Sequence, residues 1–231
     1  MKEGAMKIRY WSDYACPYCY IGETRLENAI EELGIGDDVE LEMHAFELDP
    51  SAPAEVTGDT LNRFARKYRL SLDAAEERIE DISELGRDLG IDFKYATTLY
   101  SNTFDAHRLT KWAHTKGNTA IEKLLFDAYF TKNEVLADHD VLVRIAEEAG
   151  LDPEEAAEVL ASDAYAEEVR ADEAESRALG VTGVPFFVID GKVAIPGAMS
   201  QDAFKKALEQ VREDEAVTGK GASCTSDACA I

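Results

Sequence analysis

Apolar residues recur with different periods along this chain, and the order of those periods predicts its elements. Lys7-Ile8-Arg9-Tyr10-Trp11 is a short apolar run of strand length, and Glu23 to Leu33 is an amphipathic run with helical spacing. Gly34 and Gly36 punctuate a loop. Val39-Glu40-Leu41-Glu42-Met43-His44-Ala45-Phe46 then alternates apolar and polar, the period of a half-buried strand. Strand, helix and strand at this spacing form a βαβ unit, with parallel strands and a right-handed crossover expected.

Leu48-Asp49-Pro50-Ser51-Ala52-Pro53 closes this half with turn-forming residues. From about Thr60 to Gly180 the pattern becomes helical, with helices predicted over 60–69, 72–89, 102–116, 119–131, 139–149, 153–161 and 163–179. Asp152-Pro153-Glu154-Glu155 marks one start plainly: an N-cap acceptor, a proline in the first turn, and carboxylates facing the helix dipole. No solenoid-length repeat runs through this block. Strand patterns return in Pro185–Ile189 and Lys192–Ile195 around Asp190-Gly191, a pair suited to the positive φ angles of a hairpin turn. Ser200 then caps a last amphipathic helix carrying Phe204, Ala207, Leu208 and Val211 on one face. This is the order of an α/β, thioredoxin-type domain interrupted by helices. The expected division is 1–58 with 181–216 as the thioredoxin-like domain, 59–180 as a helical insertion domain, and 217–231 as a tail too poor in apolar residues to fold alone.

Composition narrows the partners. The 47 acidic residues against 24 basic ones give a formal net charge of −23, which argues against nucleic acid and anionic membranes, since both need clustered Lys and Arg. The acidic residues are spread over helix faces, as on an ordinary solvated surface or on a salt-adapted protein. No stretch approaches the ~18 apolar residues of a membrane span, and Met1 to Met6 lacks a signal-peptide core. The sequence therefore reads as cytoplasmic, unless a leader was trimmed.

The chemistry is expected in Asp13-Tyr14-Ala15-Cys16-Pro17-Tyr18-Cys19-Tyr20-Ile21-Gly22, where a strand ends and a helix begins. The first N–H groups of a helix have no backbone partner, and the aligned dipole adds positive charge there. A thiolate at Cys16 is stabilised by that position, and Pro17 suits the first turn, where its missing N–H is no loss. Lys and Arg are scarce near the motif, so the helix end is expected to supply most of this effect. Strand, Cys-x-x-Cys and helix together form a redox signature; a buried or metal-binding pair is the alternative. His44, on the polar side of its strand, reads as a surface or edge residue, or alternatively as a neighbour of the thiols.

Ser12-Asp13-x-x-Cys16-Pro17-x-Cys19-Tyr20-Ile21-Gly22 resembles the active-site signature of DsbA-family, FrnE-type thiol–disulfide oxidoreductases. Asn102-Thr103-x-x-Ala106-His107-Arg108 and Gly180-Val181-x-Gly183-Val184-Pro185 are similar to the same family, and the likeness runs from about Lys7 to Val211. The resemblance implies a thioredoxin fold with an inserted helical domain. In thiol chemistry of this kind Cys16 is the exposed attacking thiolate, or the sulfur attacked in the oxidised form, and Cys19 resolves the mixed disulfide. Pro17 and Tyr18 tune the pair. By resemblance, Val184-Pro185 is a cis bond facing the Cys-x-x-Cys loop, with the Val184 backbone available to an extended substrate. A proline starting an edge strand would leave room for such a partner.

The resemblance also suggests that the helix carrying Asn102 and His107 borders the cleft; both are candidates for substrate contact, or else for capping and packing. Cys224 and Cys229, separated by four residues in the tail, are similar to an extra redox pair of some FrnE-type members. They are read as a relay exchanging disulfides with Cys16–Cys19, against incidental thiols or a zinc site shared with that pair. The implied activity is exchange with protein or small-molecule thiols and disulfides, with glutathione or a thioredoxin-like protein as candidate reductants. No dissociable cofactor or metal is expected. The related alternatives are kappa-class glutathione transferases and hydroxychromene-carboxylate isomerases, which use a serine-type position where this chain has Cys16, and a zinc-binding or redox-sensing module.

Overall fold

A computed structural model describes residues 5–220, and within them the predicted order of elements holds. β1 (Met6–Ser12), α1 (Pro17–Leu33) and β2 (Val39–Ala45) form the first unit, with the two strands parallel from Met6↔Val39 to Ser12↔Ala45. The helical block follows as α2 (Thr60–Tyr68), α3 (Leu72–Arg87), α4 (Phe104–Thr115), α5 (Ala120–Phe130), α6 (His139–Glu148), α7 (Pro153–Leu160) and α8 (Ala166–Ala178). β3 (Phe186–Ile189), β4 (Val193–Pro196) and α9 (Gln201–Lys220) complete the described chain. The strands form one sheet in the order β2-β1-β3-β4, with β3 antiparallel to both neighbours. The architecture is mixed α/β, with a helical block inserted between β2 and β3.

Helix boundaries fall within a few residues of the predicted ones, and local chemistry explains the largest differences. The helix expected from 102 begins at Phe104, because the Asn102 side-chain oxygen accepts the Phe104 N–H at 2.8 Å and ends the preceding loop. The helix expected from 163 begins at Ala166, since Tyr165 before it adopts a left-handed φ of 63°. Arg108, a buried side chain, ties that loop to the end of α7: its Nε donates to Ala164 O at 2.8 Å and its Nη2 to Val159 O at 2.6 Å. At the other end α9 runs to Lys220, past the expected start of a tail at 217, because extending a formed helix costs little per residue. Cys224 and Cys229 lie outside the described residues.

The sheet is covered on both faces, which corrects two expectations. On one face the register lines up Met43, Tyr10, Phe187 and Ile195, all buried, and Phe204 of α9 meets Phe187 edge-on at 5.0 Å. On the other it lines up His44, Trp11, Phe186 and Pro196. His44 was expected at the surface or an edge. It is only 6% exposed, stacked on Trp11 at 4.9 Å with Nδ1 2.8 Å from Asp172 of α8. The alternating period marks a polar position; it does not show that α8 covers that position and brings a carboxylate with it. Pro185 likewise precedes an interior strand, not an edge one, because β1 pairs along the other side of β3. The hairpin itself is as predicted, with φ of 49° at Asp190 and 67° at Gly191.

An aromatic seam ties the insertion to α1. Phe126 of α5 stacks on Tyr20 at 4.9 Å and meets Tyr14 edge-on at 4.9 Å. Phe130 stacks on Phe93 at 4.7 Å, and Phe93 and Tyr95 continue the seam to Phe64 of α2. Such ring pairs each contribute about 0.5–1.5 kcal/mol beyond their buried area. Gly86 of α3 makes room for the seam: a Cβ there would lie 2.5 Å from the Phe93 ring. Gly86→Ala should therefore reverse the usual helix preference, which favours alanine by about 1 kcal/mol. Overpacking against the buried Phe93 costs about 1–3 kcal/mol, so the urea midpoint is expected to fall; an equal or higher midpoint would show that Phe93 moves aside freely.

Candidate active site

Cys16 occupies the N-cap of α1 in extended backbone, with Pro17 at the first helical position. Its N–H donates to Asp13 O at 2.9 Å, and its carbonyl accepts the Cys19 N–H at 3.1 Å. Both thiols are free and buried, Cys19 completely and Cys16 to 4% exposure where an exposed thiol was expected, because Val184 and the helices of the insertion close around the start of α1. The Val184–Pro185 bond is cis, and the Cys16 thiol donates toward the Val184 carbonyl at 3.6 Å. Gly22, further along α1, permits this approach: a Cβ on it would lie 3.0 Å from Pro185 Cγ and 3.3 Å from the Ala198 backbone.

The loop before Cys16 is held by Asp13, 1% exposed. Its Oδ1 accepts from the Ala15 N–H at 3.2 Å and the Thr103 hydroxyl at 2.8 Å, and its Oδ2 from the Leu48 N–H at 2.7 Å. Asn102 and His107 sit around this anchor and do not line the cavity at Cys16. Asn102 caps α4 and donates to Glu47 at 3.3 Å; His107, 1% exposed, packs against Tyr14 at 5.0 Å with Nε2 3.5 Å from Asp13.

Cys16 opens on a cavity of about 760 Å³. One wall is Pro17, Tyr18, Gly183 and Val184; the opposite wall comes from α2 and α3, with Arg63, Phe64, Lys67, Tyr68 and Arg78, and also the carboxylates of Glu77 and Asp81. The scarcity of cations near the motif is thus a property of the linear sequence only, because the insertion folds three of them into the same cavity. The available signal was Arg63, Arg66, Lys67 and Arg69 falling within seven residues of an otherwise acidic chain. Among the described residues no group of three or more His, Cys, Asp or Glu is arranged to hold a metal ion.

Burial separates the two thiols. The Cys19 thiol is pushed well up by desolvation, then by its hydrogen bond to Cys16, so it holds its proton at neutral pH. Glu23, on the next turn, is also largely buried, 8% exposed; desolvation and the charge of Glu122 push its carboxyl well above the usual range, against a hydrogen bond from Ser12. Glu23 and Glu122 line a second cavity, of about 750 Å³.

A dithiol at a helix N-terminus, packed against a cis-proline segment beside a helical insertion, defines a thioredoxin-fold redox protein. The chain belongs to the DSBA-like thioredoxin domain family, which matches residues 7–209. It is similar to a probable DsbA oxidoreductase, SCO1869 from Streptomyces coelicolor: 34% identical, TM-score 0.85, covering 98% of this chain and 99% of that one. Protein YwbO of Bacillus subtilis (strain 168) is 30% identical over 206 residues, 87% of this chain and 94% of YwbO. A 2-hydroxychromene-2-carboxylate isomerase shares the fold at 14% identity, with a TM-score of 0.68 over 92% of this chain and 98% of that one.

The raised Glu23 carboxyl makes a signed prediction. The native protein binds this proton more tightly than the unfolded chain, where a Glu titrates near ~4.3. The resulting stability is complete below about pH 4.3 and is lost as pH rises through the native value. In Glu23→Gln the amide keeps an acceptor for Ser12 and has no proton to lose. Its Tm relative to wild type should rise between pH 4 and pH 8, at about 2–4 °C per kcal/mol for a chain of this size. A difference constant with pH would place the Glu23 charge in water.

Proposed function

We propose that this chain is a FrnE-type thiol–disulfide oxidoreductase in which Cys16 exchanges with substrate and Cys19 resolves. The observation that carries the reading is the asymmetry of the pair: the Cys16 sulfur faces the cavity and the Val184 carbonyl, while Cys19 is sealed beneath it with its proton retained. In the reducing direction the Cys16 thiolate attacks one sulfur of a substrate disulfide and expels the other as a thiolate, which takes up a proton. Cys19 then gives up its proton and attacks Cys16. The Cys16–Cys19 disulfide forms, the second substrate thiolate leaves, and two electrons have passed to the substrate. In the oxidising direction each step reverses. Pro17 and Tyr18 lie on the substrate side of the loop, where Tyr18 is 40% exposed. Protein or small-molecule thiols and disulfides in the cytoplasm are the proposed partners, and 1–58 with 181–216 the proposed redox domain.

The isomerase likeness is one of fold, and two cysteines at the start of α1 favour dithiol exchange over a single serine-type site. Cys19→Ser, given a disulfide substrate, should accumulate a mixed disulfide through Cys16, read as a mass gain and lost on adding dithiothreitol. Cys16→Ser should form none. A Cys19→Ser protein that stays unmodified would overturn the reading. We further propose that Cys224 and Cys229 relay electrons to an outside partner. Replacing both by serine should slow multiple turnover while leaving the single-turnover reaction of Cys16 unchanged; equal turnover would remove the relay.

A further inference from the structure

The wall facing Cys16 carries a charge pattern that the rest of the molecule lacks. Most cations elsewhere are matched with carboxylates, as Lys111 is with Asp172 and Arg144 with Glu134. Arg63, Arg66, Lys67, Arg69 and Arg78, all on or between α2 and α3, make no ion pair among the described residues. In a chain with 47 acidic residues to 24 basic ones, residues 60–87 balance their charges, and three of these unmatched cations, Arg63, Lys67 and Arg78, line the cavity at Cys16 beside Glu77 and Asp81.

Arg63 is the best placed of them. Its guanidinium carbon lies over the Tyr100 ring, 3.7 Å from the centroid, and its Nε is buried with no hydrogen-bond partner among the described residues. Arg63 and Cys16 line the same cavity, together with Tyr68 and Tyr95. Asp49, close to Tyr100, is taken up by the Tyr100 hydroxyl at 2.7 Å and by Ser51. Glu77 and Asp81 stand on the same wall beyond ion-pair distance. A guanidinium fixed on a ring keeps its in-plane N–H groups for a planar, two-oxygen acceptor.

We propose that this wall recognises a carboxylate on the substrate, with Arg63 as the principal donor and Lys67 as support. The inference rests on the exchange chemistry proposed for Cys16 and specifies its substrate class: thiols and disulfides bearing a carboxylate near the reacting sulfur. The carboxylate belongs to a small molecule or to an acidic side chain beside a cysteine in a peptide. Without such a wall, the acidic surface would hold these substrates away.

The test measures single-turnover oxidation of the reduced protein by dithiodiglycolate (anionic), bis(2-hydroxyethyl) disulfide (neutral) and cystamine (cationic). Each rate is divided by that of free dithiothreitol with the same disulfide. Homodimeric disulfides of the peptides Asp-Cys-Gly and Lys-Cys-Gly form a second arm. Wild type should favour the anionic over the neutral disulfide by about tenfold or more, with the preference shrinking in high salt. Arg63→Gln and Lys67→Gln should move the ratio toward one, Arg63→Lys should restore it in part, and Arg212→Gln should leave it unchanged. A preference confined to the peptide arm assigns the carboxylate to a protein substrate, and one seen with dithiodiglycolate assigns it to a small molecule. No preference in wild type, or one that survives Arg63→Gln, overturns the inference while the exchange reading stands. No reaction with any disulfide overturns the exchange reading itself.

Discussion

One buried carboxylate holds the reactive loop to the two bodies that enclose it. Asp13 accepts from the backbone just before Cys16, from Leu48 after β2, and from Thr103 before α4, while its own carbonyl takes the Cys16 N–H. A carboxylate removed from water is costly unless hydrogen bonds replace those it loses, and here three donors occupy both oxygens. The arrangement makes the position of Cys16 conditional on the insertion: a shift of α4 or of the segment after β2 would deprive the buried carboxylate of a hydrogen-bond donor. Glu47 extends the network, joining Asn102 at the start of α4 to Arg170 of α8.

Apolar packing does over a longer range what Asp13 does locally. The rings from Tyr14 and Tyr20 through Phe126, Phe130 and Phe93 to Phe64 connect the start of α1 with α2 and α3. The far wall of the cavity is therefore rooted in the same core as the thiols. Charged side chains on helices packed through this seam occupy more closely defined positions than they would on a free loop, where charge is averaged over many positions.

Local features were readable from the chain alone: the Cys-x-x-Cys at a strand-to-helix junction, the Asp190-Gly191 hairpin, the Pro153 helix start and the positions of the helices. Each depends on a few neighbouring residues and on periods of two or 3.6. Features set by tertiary neighbours were not. His44 looks like a surface residue until α8 covers it, and Pro185 looks like the start of an edge until β1 pairs beyond it. Arg63, Lys67 and Arg78 are more than forty positions from Cys16 and read as surface charge. Glu23 reads as the polar side of an amphipathic helix; only the packing of Ser12 and Glu122 around it reveals a buried acid. Pairing and burial across such separations leave no periodic trace.

Gly22 has a consequence for the tolerances of the site. Pro185 Cγ and the Ala198 backbone close on it to the point where a single methyl group would meet atoms at 3.0 and 3.3 Å. The clearance between α1 and the segment entering β3 is thus that of two surfaces in contact with nothing interposed. Cys16 and Val184 ride on those same two surfaces. The spacing between Cys16 and Val184 is set in part at Gly22, by a side chain that is not there.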